Sequence, residues 1–81
     1  MEVQLNKAHA HSSKHREELQ ASQACGCFFC QEIFSPERIE EWCDKGQTAI
    51  CPSCGIDAVI GSESGFPITK AFLGRMHEFW F

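Results

Sequence analysis

The strongest hydrophobic pattern lies at the C-terminal end of the chain. In the stretch KAFLGRMHEFWF, residues 70–81, apolar side chains recur at the spacing of one face of an α-helix. That apolar face comprises Phe72, Leu73, Met76, Phe79 and Trp80. Thr69 precedes the stretch and suits the N-cap position. The sequence therefore predicts a C-terminal helix that packs on the core.

A second helix is predicted in the middle of the chain, in SPERIEEWCD at residues 35–44. Ser35 is a suitable N-cap, and Pro36 fits the first helical position. One apolar face of such a helix would carry Ile39, Trp42 and Cys43. Gly46 supplies the signal that ends it.

The remaining pattern predicts short strands and a polar N-terminal segment. The β-rich segments are QEIF at 31–34, QTAICPSCG at 47–55 and IDAVIG at 56–61. Residues 1–11 have weak periodicity, which predicts a flexible N-terminal arm. From Ser12 or Ser13, either of which suits an N-cap, KHREELQA predicts a short polar helix. Leu19 is the one large apolar side chain of that helix.

The chain is short enough that a single domain, over residues 12–81, is expected. It has 81 residues, and a domain of this size has a thin margin of stability. Its six cysteines suggest a staple, either disulfides or a metal. The first 22 residues lack the apolar core of a signal peptide, and no apolar run approaches the length of a membrane span. We therefore expect a cytoplasmic protein with no membrane partner, in which paired cysteines bind metal.

Four of the cysteines have the spacing of a zinc site. Cys27 and Cys30 form one C-x₂-C pair, Cys51 and Cys54 form another, and 20 residues separate the pairs. Zn²⁺ takes four ligands in a tetrahedron, and a C-x₂-C turn can present two thiolates to one point. Gly55 follows the second pair, where such a turn requires a positive φ. The spacing predicts one structural Zn²⁺ per chain, although four thiolates also suit iron.

The other two cysteines are predicted to be structural. Cys25 lies two positions before Cys27, which is a poorer chelating geometry than C-x₂-C. We expect it to be a small buried or half-buried residue, with a substitute ligand or a redox-sensitive neighbour as the alternative. Cys43 is expected in the core, on the apolar face of the middle helix.

Two alternative chemistries for the cysteines are less favoured. CPSC at 51–54 resembles the redox motif of thioredoxin-like proteins, but the residues that follow it, GIDAVIG, do not read as a helix. HRE at 15–17 together with CPSC resembles part of a zinc-deaminase signature. In that signature proline precedes the first cysteine, whereas Pro52 lies inside the pair here.

The histidines give no convincing catalytic group. Four thiolates close the coordination of a zinc ion, which argues against an open catalytic position. His77 is the one candidate general base beyond the N-terminal segment, and we expect it to lie at the surface or packed among aromatics. His11 and His15 are four positions apart and are expected on a solvated helical face, with weak metal or phosphate binding as the alternative.

Charge disfavours broad binding to nucleic acid. The formal net charge is −4, with eleven acidic and seven basic residues, and the acids concentrate in residues 32–44. Any nucleic-acid contact would use the N-terminal third. The candidate contacts are Lys7, Lys14, His15 and Arg16.

Three stretches resemble a family of small bacterial proteins described only as cytoplasmic or zinc-ribbon-like proteins. They are HSSKHREELQASQACGCFFC, EEWCDKGQTAICPSCGIDAVIG and SGFPITKAFLGRMHEFWF. The resemblance covers residues 12–81 and implies a cytosolic setting and a zinc-ribbon-type site on the four paired cysteines, with no known reaction. The first knuckle reads C-F-F-C-Q where the commoner zinc-ribbon pattern has C-P-x-C-G, which leaves a treble-clef-like arrangement open.

The sequence thus predicts a small α+β domain stapled by metal, with a zinc-ribbon or treble-clef-like site, a short sheet, a middle helix and a C-terminal helix. Nine aromatic residues are more than such a domain buries, so we expect Trp80 to close the core and Phe79 or Phe81 to contact a partner. The favoured function is a zinc-stabilised protein-interaction module. A nucleic-acid-binding zinc ribbon is the alternative, and a metal-dependent hydrolase or redox protein is less favoured.

Overall fold

The computed structural model describes the backbone of residues 2–81 and the side chains from Leu5 onwards. The helices are α1 (Glu2–Ala10), α2 (Arg16–Ala21) and α3 (Lys70–Trp80). The strands are β1 (Cys25–Cys27), β2 (Ile33–Phe34), β3 (Trp42–Cys43), β4 (Thr48–Ala49) and β5 (Val59–Gly61). Short 3₁₀ turns occupy Pro36–Arg38 and Ser62–Ser64. The predicted α+β class is confirmed.

The main sheet is antiparallel, with the strand order β2-β1-β5, and a helix packs on each of its faces. Cys25 pairs with Gly61, so these two residues share a face, while the neighbouring Gly26 belongs to the other. A Cβ atom on Gly61 would meet Ser22 and Leu19 of the α2 segment. A Cβ atom on Gly26 would lie 2.7 Å from Cδ1 of Leu73 in α3. Both glycines therefore allow a helix to approach the sheet closely.

The core lies between these layers and is built from a few large side chains. Those that are fully buried include Leu19 of α2, Val59 and Ile60 of β5, and Leu73 and Met76 of α3. Leu19, the one large apolar residue of its helix, thus anchors a polar segment to the sheet.

The predicted C-terminal helix is confirmed. Thr69 is its N-cap, and the Oγ1 atom accepts a hydrogen bond from the backbone N–H of Phe72 at 3.1 Å. Trp80 packs on the edge of the core, with its ring centroid 4.1 Å from that of His9.

The predicted middle helix is wrong beyond its first turn. A 3₁₀ turn does begin at Pro36, but Ile39 is already extended, with φ −76° and ψ 121°. Trp42 and Cys43 then form β3, which pairs antiparallel with β4 in a separate two-stranded sheet. The turn between them has positive φ at Asp44, Lys45 and Gly46. Pairing between strands has overridden the helical spacing of the apolar residues.

The N-terminal third contains more helix than the pattern indicated. The segment 1–11, expected to be a flexible arm, includes α1, in which Leu5 and Ala8 are buried. Neither Ser12 nor Ser13 caps the next helix, because α2 begins at Arg16 with His15 in the N-cap position. No helix among residues 2–81 combines the length and apolarity needed to cross a membrane.

Candidate metal centre

Four cysteine sulfurs converge at one point of the structure. The Sγ atoms of Cys27, Cys30, Cys51 and Cys54 all lie within 4.8 Å of one another. The distances from Cys27 to Cys54 and from Cys30 to Cys51 are both 3.7 Å. In a tetrahedron of thiolates about 2.3 Å from a zinc ion, the sulfurs are about 3.8 Å apart. The four cysteines are therefore positioned to bind one metal ion.

The first knuckle is a tight turn that follows β1. The backbone N–H of Phe29 donates to Sγ of Cys27 at 3.4 Å, which favours a thiolate there. The N–H of Gln31 donates to the carbonyl oxygen of Cys27 at 2.7 Å and closes the turn. The N–H of Cys27 in turn donates to the carbonyl oxygen of Glu32 at 3.0 Å.

The second knuckle repeats this hydrogen-bond pattern residue by residue. The N–H of Ser53 donates to Sγ of Cys51 at 3.4 Å. The N–H of Gly55 donates to the carbonyl oxygen of Cys51, and the N–H of Cys51 donates to that of Ile56, both at 3.0 Å. The two C-x₂-C segments are therefore equivalent turns that face each other across the sulfur cluster.

Helix α3 supports the first knuckle. The Nδ1–H group of His77 donates to the carbonyl oxygen of Phe28 at 3.2 Å. The ring of Phe81 stacks on that of His77 and meets that of Phe29 edge-on, with centroids 5.6 and 4.9 Å apart. His77 is thus packed among aromatics, which was one of the two positions expected for it.

Protonation of the thiols links metal binding to pH. Burial raises the pKa of Cys27 and also that of Cys30. Burial acts in the same direction on Cys51, but hydrogen bonds from the N–H groups of Cys54 and Ser53 and from the Cys30 and Cys54 side chains together outweigh it, and the pKa of Cys51 is lowered. A metal must displace the protons from these thiols, so binding releases protons and weakens as the pH falls.

The cluster has one buried and one more exposed thiol in each knuckle. Cys27 and Cys51 are buried, while Cys30 and Cys54 are partly exposed. Four thiolates complete the tetrahedral coordination that structural zinc sites use, whereas catalytic sites keep one position for water or substrate. This donor set is suited to holding two turns together.

The other two cysteines lie outside the cluster. Cys25 is buried in β1, where burial and the nearby charge of Glu37 raise its thiol pKa to about 12. This agrees with the small buried residue that was expected. Cys43 is half-buried in β3, and not on the apolar face of a helix as predicted.

His15 is buried, which makes the predicted solvated face of His11 and His15 wrong for this residue. Its exposed fraction is 4%. Its Nδ1–H group donates to the carbonyl oxygen of His11 at 2.7 Å, and its Nε2 atom accepts from the N–H of Ala49 at 3.0 Å. Burial lowers its pKa and favours the neutral ring that this arrangement requires.

The other three candidate nucleic-acid contacts, Lys7, Lys14 and Arg16, differ in their surroundings. The Arg16 guanidinium lies 4.4 Å from the ring centroid of Trp42, and Nη1 donates to the carbonyl oxygen of Gly46 at 2.8 Å. Lys7 and Lys14 are exposed. With His15 buried and Arg16 attached to the β3–β4 hairpin, two of the four predicted residues have structural contacts.

The two residues predicted to contact a partner, Phe79 and Phe81, are exposed. Phe79 has an exposed fraction of 43% and Phe81 of 59%. Phe29, which the sequence reasoning did not single out, is 39% exposed between the two cysteines of the first knuckle. Its position inside the C-x₂-C turn gave no signal of this, because Phe28, the other residue between the two cysteines, is buried.

The acidic middle of the chain borders the second knuckle. An open cavity of about 530 Å³ lies between Cys51, Pro52 and the carboxylates of Glu37, Glu40 and Glu41. The charge pattern was visible in the sequence, but its position beside the sulfur cluster was not.

Comparisons of the chain with protein-family models, with curated proteins and with solved structures returned no match. The family resemblance described above therefore stays a prediction, and the assignment of the site depends on its own geometry.

Proposed function

We propose that the protein binds one Zn²⁺ ion through Cys27, Cys30, Cys51 and Cys54 and that this ion is structural. The observation that carries the proposal is the convergence of the four Sγ atoms at separations close to those of a zinc tetrathiolate. The repeated N–H···S hydrogen bonds stabilise the thiolate form in both knuckles. When bound, the ion supplies a cross-link between the two turns.

A structural ion would contribute much of the stability of so small a domain. Apparent binding free energies in small zinc peptides are about 10–16 kcal/mol, which is comparable with the whole stability of an ordinary domain. The ligands come from turns far apart in the chain, one after β1 and the other between β4 and β5. The ion would therefore add a second link between segments that are otherwise joined by the pairing of β1 with β5.

We further propose that the zinc-stabilised domain is a protein-interaction module. Support comes from the aromatic side chains that remain exposed, Phe29 and Phe81 beside the first knuckle and Phe79 on α3. Exposed aromatics are common anchors in protein interfaces. Binding of nucleic acid has less support, because His15 is buried and Arg16 is engaged within the fold.

Native mass spectrometry of the purified protein tests the metal assignment. One zinc per chain is expected in the wild type, and Cys27→Ser should lose it. The matched controls Cys25→Ser and Cys43→Ser should keep it, because neither thiol belongs to the cluster. Iron in place of zinc would change the metal but keep the ligand set. A metal-free chain lighter by two or four protons would indicate disulfides and would overturn the proposal.

A further inference from the structure

The outer side of α3 carries an apolar groove. Two adjoining cavities of about 270 and 200 Å³ share Leu5 and Arg75 as lining residues, so they form one continuous depression, the α3 groove. Its wider end is walled by Phe66 and Phe72, whose rings stack with centroids 5.7 Å apart. An apolar cavity of about 150 Å³ holds a benzene ring, so the wider end has room for one aromatic side chain.

The opposite end of the same groove presents such a side chain. Phe79 lines the narrower cavity and is 43% exposed. Its ring packs edge-on against that of Trp80, with centroids 4.9 Å apart, which holds it in place. The surface thus contains both an aromatic projection and an apolar pocket, separated along one helix.

The charges on this surface are also complementary to each other. Arg75 and Glu78 are exposed and lie three positions apart on α3, Arg75 where the two cavities meet and Glu78 at the narrower one. Among the side chains that the structure describes, neither takes part in a salt bridge. The groove therefore carries an aromatic side chain and a pocket for one, and a positive and a negative charge, as an interface between identical subunits requires.

We propose that the α3 groove binds a second copy of this chain in an antiparallel, two-fold symmetric arrangement. Phe79 of each copy then enters the Phe66–Phe72 end of the other groove, and Arg75 of each copy faces Glu78 of the other. This proposal names a partner for the interaction module and so builds on the proposed function. A stable interface buries about 800 Å² on each partner, about a sixth of the total surface of 4777 Å². The groove takes up only α3 and the few residues beside it, so we expect a weak dimer.

Sedimentation equilibrium of the zinc-loaded chain across micromolar to millimolar concentrations tests this pairing. The wild type is expected to dimerise. Arg75→Glu and Glu78→Arg should each raise the dimer dissociation constant at least about tenfold, because each puts like charges opposite one another twice. The double reversal Arg75→Glu with Glu78→Arg should restore dimerisation, since it exchanges the two charges. Phe79→Ala should weaken it as well.

Matched controls separate this proposal from the metal assignment. Arg38→Glu and Glu40→Arg reverse charges beside the second knuckle, outside the groove, and should leave the dissociation constant unchanged. Zinc content, measured on every variant, reports the metal site independently of association. A chain that stays monomeric over the whole range while holding zinc would overturn the α3 pairing alone. Dimerisation that the single reversals leave intact, or that the double reversal fails to restore, would also overturn it.

Discussion

Gln31 and Gly55 occupy equivalent positions in the two knuckles. Each directly follows the second cysteine of its pair, and each donates its N–H to the carbonyl oxygen of the first cysteine. Their φ angles are +66° and +81°, both in the left-handed region. Glycine adopts this conformation without steric cost, whereas a residue with a Cβ atom does not. The first knuckle therefore holds a strained residue where the second has none.

Gln31→Gly is expected to stabilise the zinc-loaded protein, and Gly55→Ala to destabilise it. The left-handed conformation costs a residue with a side chain about 1–2 kcal/mol, and the greater freedom of glycine in the unfolded chain offsets part of that. Net changes of about 0.5–1 kcal/mol with opposite signs follow. Urea unfolding at a fixed concentration of free zinc measures both. Because nothing lies within 4 Å of a Cβ atom on Gly55, a loss there reports the backbone and not a clash.

If both substitutions shifted the free energy of unfolding in the same direction, the equivalence of the two turns would not hold in energetic terms. Ser53→Ala, a change at an exposed position within the second knuckle, provides the control and should have little effect.

The cysteine cluster was largely predictable because its signal is local. A C-x₂-C pair needs one tight turn, and both turns are specified by residues within five positions. Gly55 indicated a tight turn at the second knuckle, whereas Gln31 gave no such signal at the first. The equivalence of the two turns is seen only in their hydrogen bonds. The C-terminal helix was predictable for the same reason, since its cap and apolar face lie within one segment.

The helix predicted at residues 35–44 was wrong because the conformation of this segment depends on pairing with another strand. Ser35 and Pro36 do begin a turn, but Trp42 and Cys43 pair with β4 and not with the preceding residues. Asp44 and Gly46 were a hairpin signal between two apolar runs, and the helical spacing concealed it. The burial of His15 was equally inaccessible, because its partner Ala49 is 34 positions away.

Gly61→Ala is expected to reduce the free energy of unfolding by about 1–3 kcal/mol, the usual cost of overpacking a core. The new Cβ atom would lie 2.7 Å from Cδ2 of Leu19 and still closer to the Ser22 hydroxyl, so these two side chains would have to shift within the contact between the α2 segment and β5. Thermal or urea unfolding of the zinc-loaded protein measures the loss. Gly65→Ala is not a suitable control, because the φ angle of Gly65 is positive. A suitable control is Ala71→Gly, at an exposed site in α3. That control should cost about 1 kcal/mol or less.

Removing the metal with a chelator under reducing conditions is expected to abolish cooperative folding. The two knuckles would lose their cross-link, and the remaining core is small for independent stability. Two-dimensional amide NMR spectra should lose dispersion on chelation and regain it when zinc is added back. The variant Cys27→Ser should resemble the chelated protein, and Cys25→Ser the loaded one. A chelated chain with a dispersed spectrum would mean that the ion adds little to the fold.

His15 is expected to make the protein less stable as the pH falls below its ordinary pKa of 6.5. Burial lowers the pKa of the folded state, and the hydrogen bond to His11 and the charge of Glu18 oppose this only in part. Below pH 6.5 His15 therefore becomes protonated in the unfolded chain while it is still neutral in the folded chain. This difference in proton binding favours unfolding. The loss of stability grows as the pH falls and levels off once the pH is below the pKa of His15 in the folded state. Each unit of difference between the two pKa values corresponds to about 1.4 kcal/mol.

NMR titration of the His15 ring in the zinc-loaded protein measures the folded pKa directly, and ¹⁵N shifts should identify the tautomer with the proton on Nδ1. His15→Gln removes the titrating group, so its free energy of unfolding should depend less steeply on pH below 6.5 than that of the wild type. Both proteins keep the same four thiols, and the difference between their slopes therefore isolates His15 from the acid sensitivity of the metal site. A ring that titrated above 6.5 would place a stabilising charge where the structure has a neutral, doubly hydrogen-bonded imidazole.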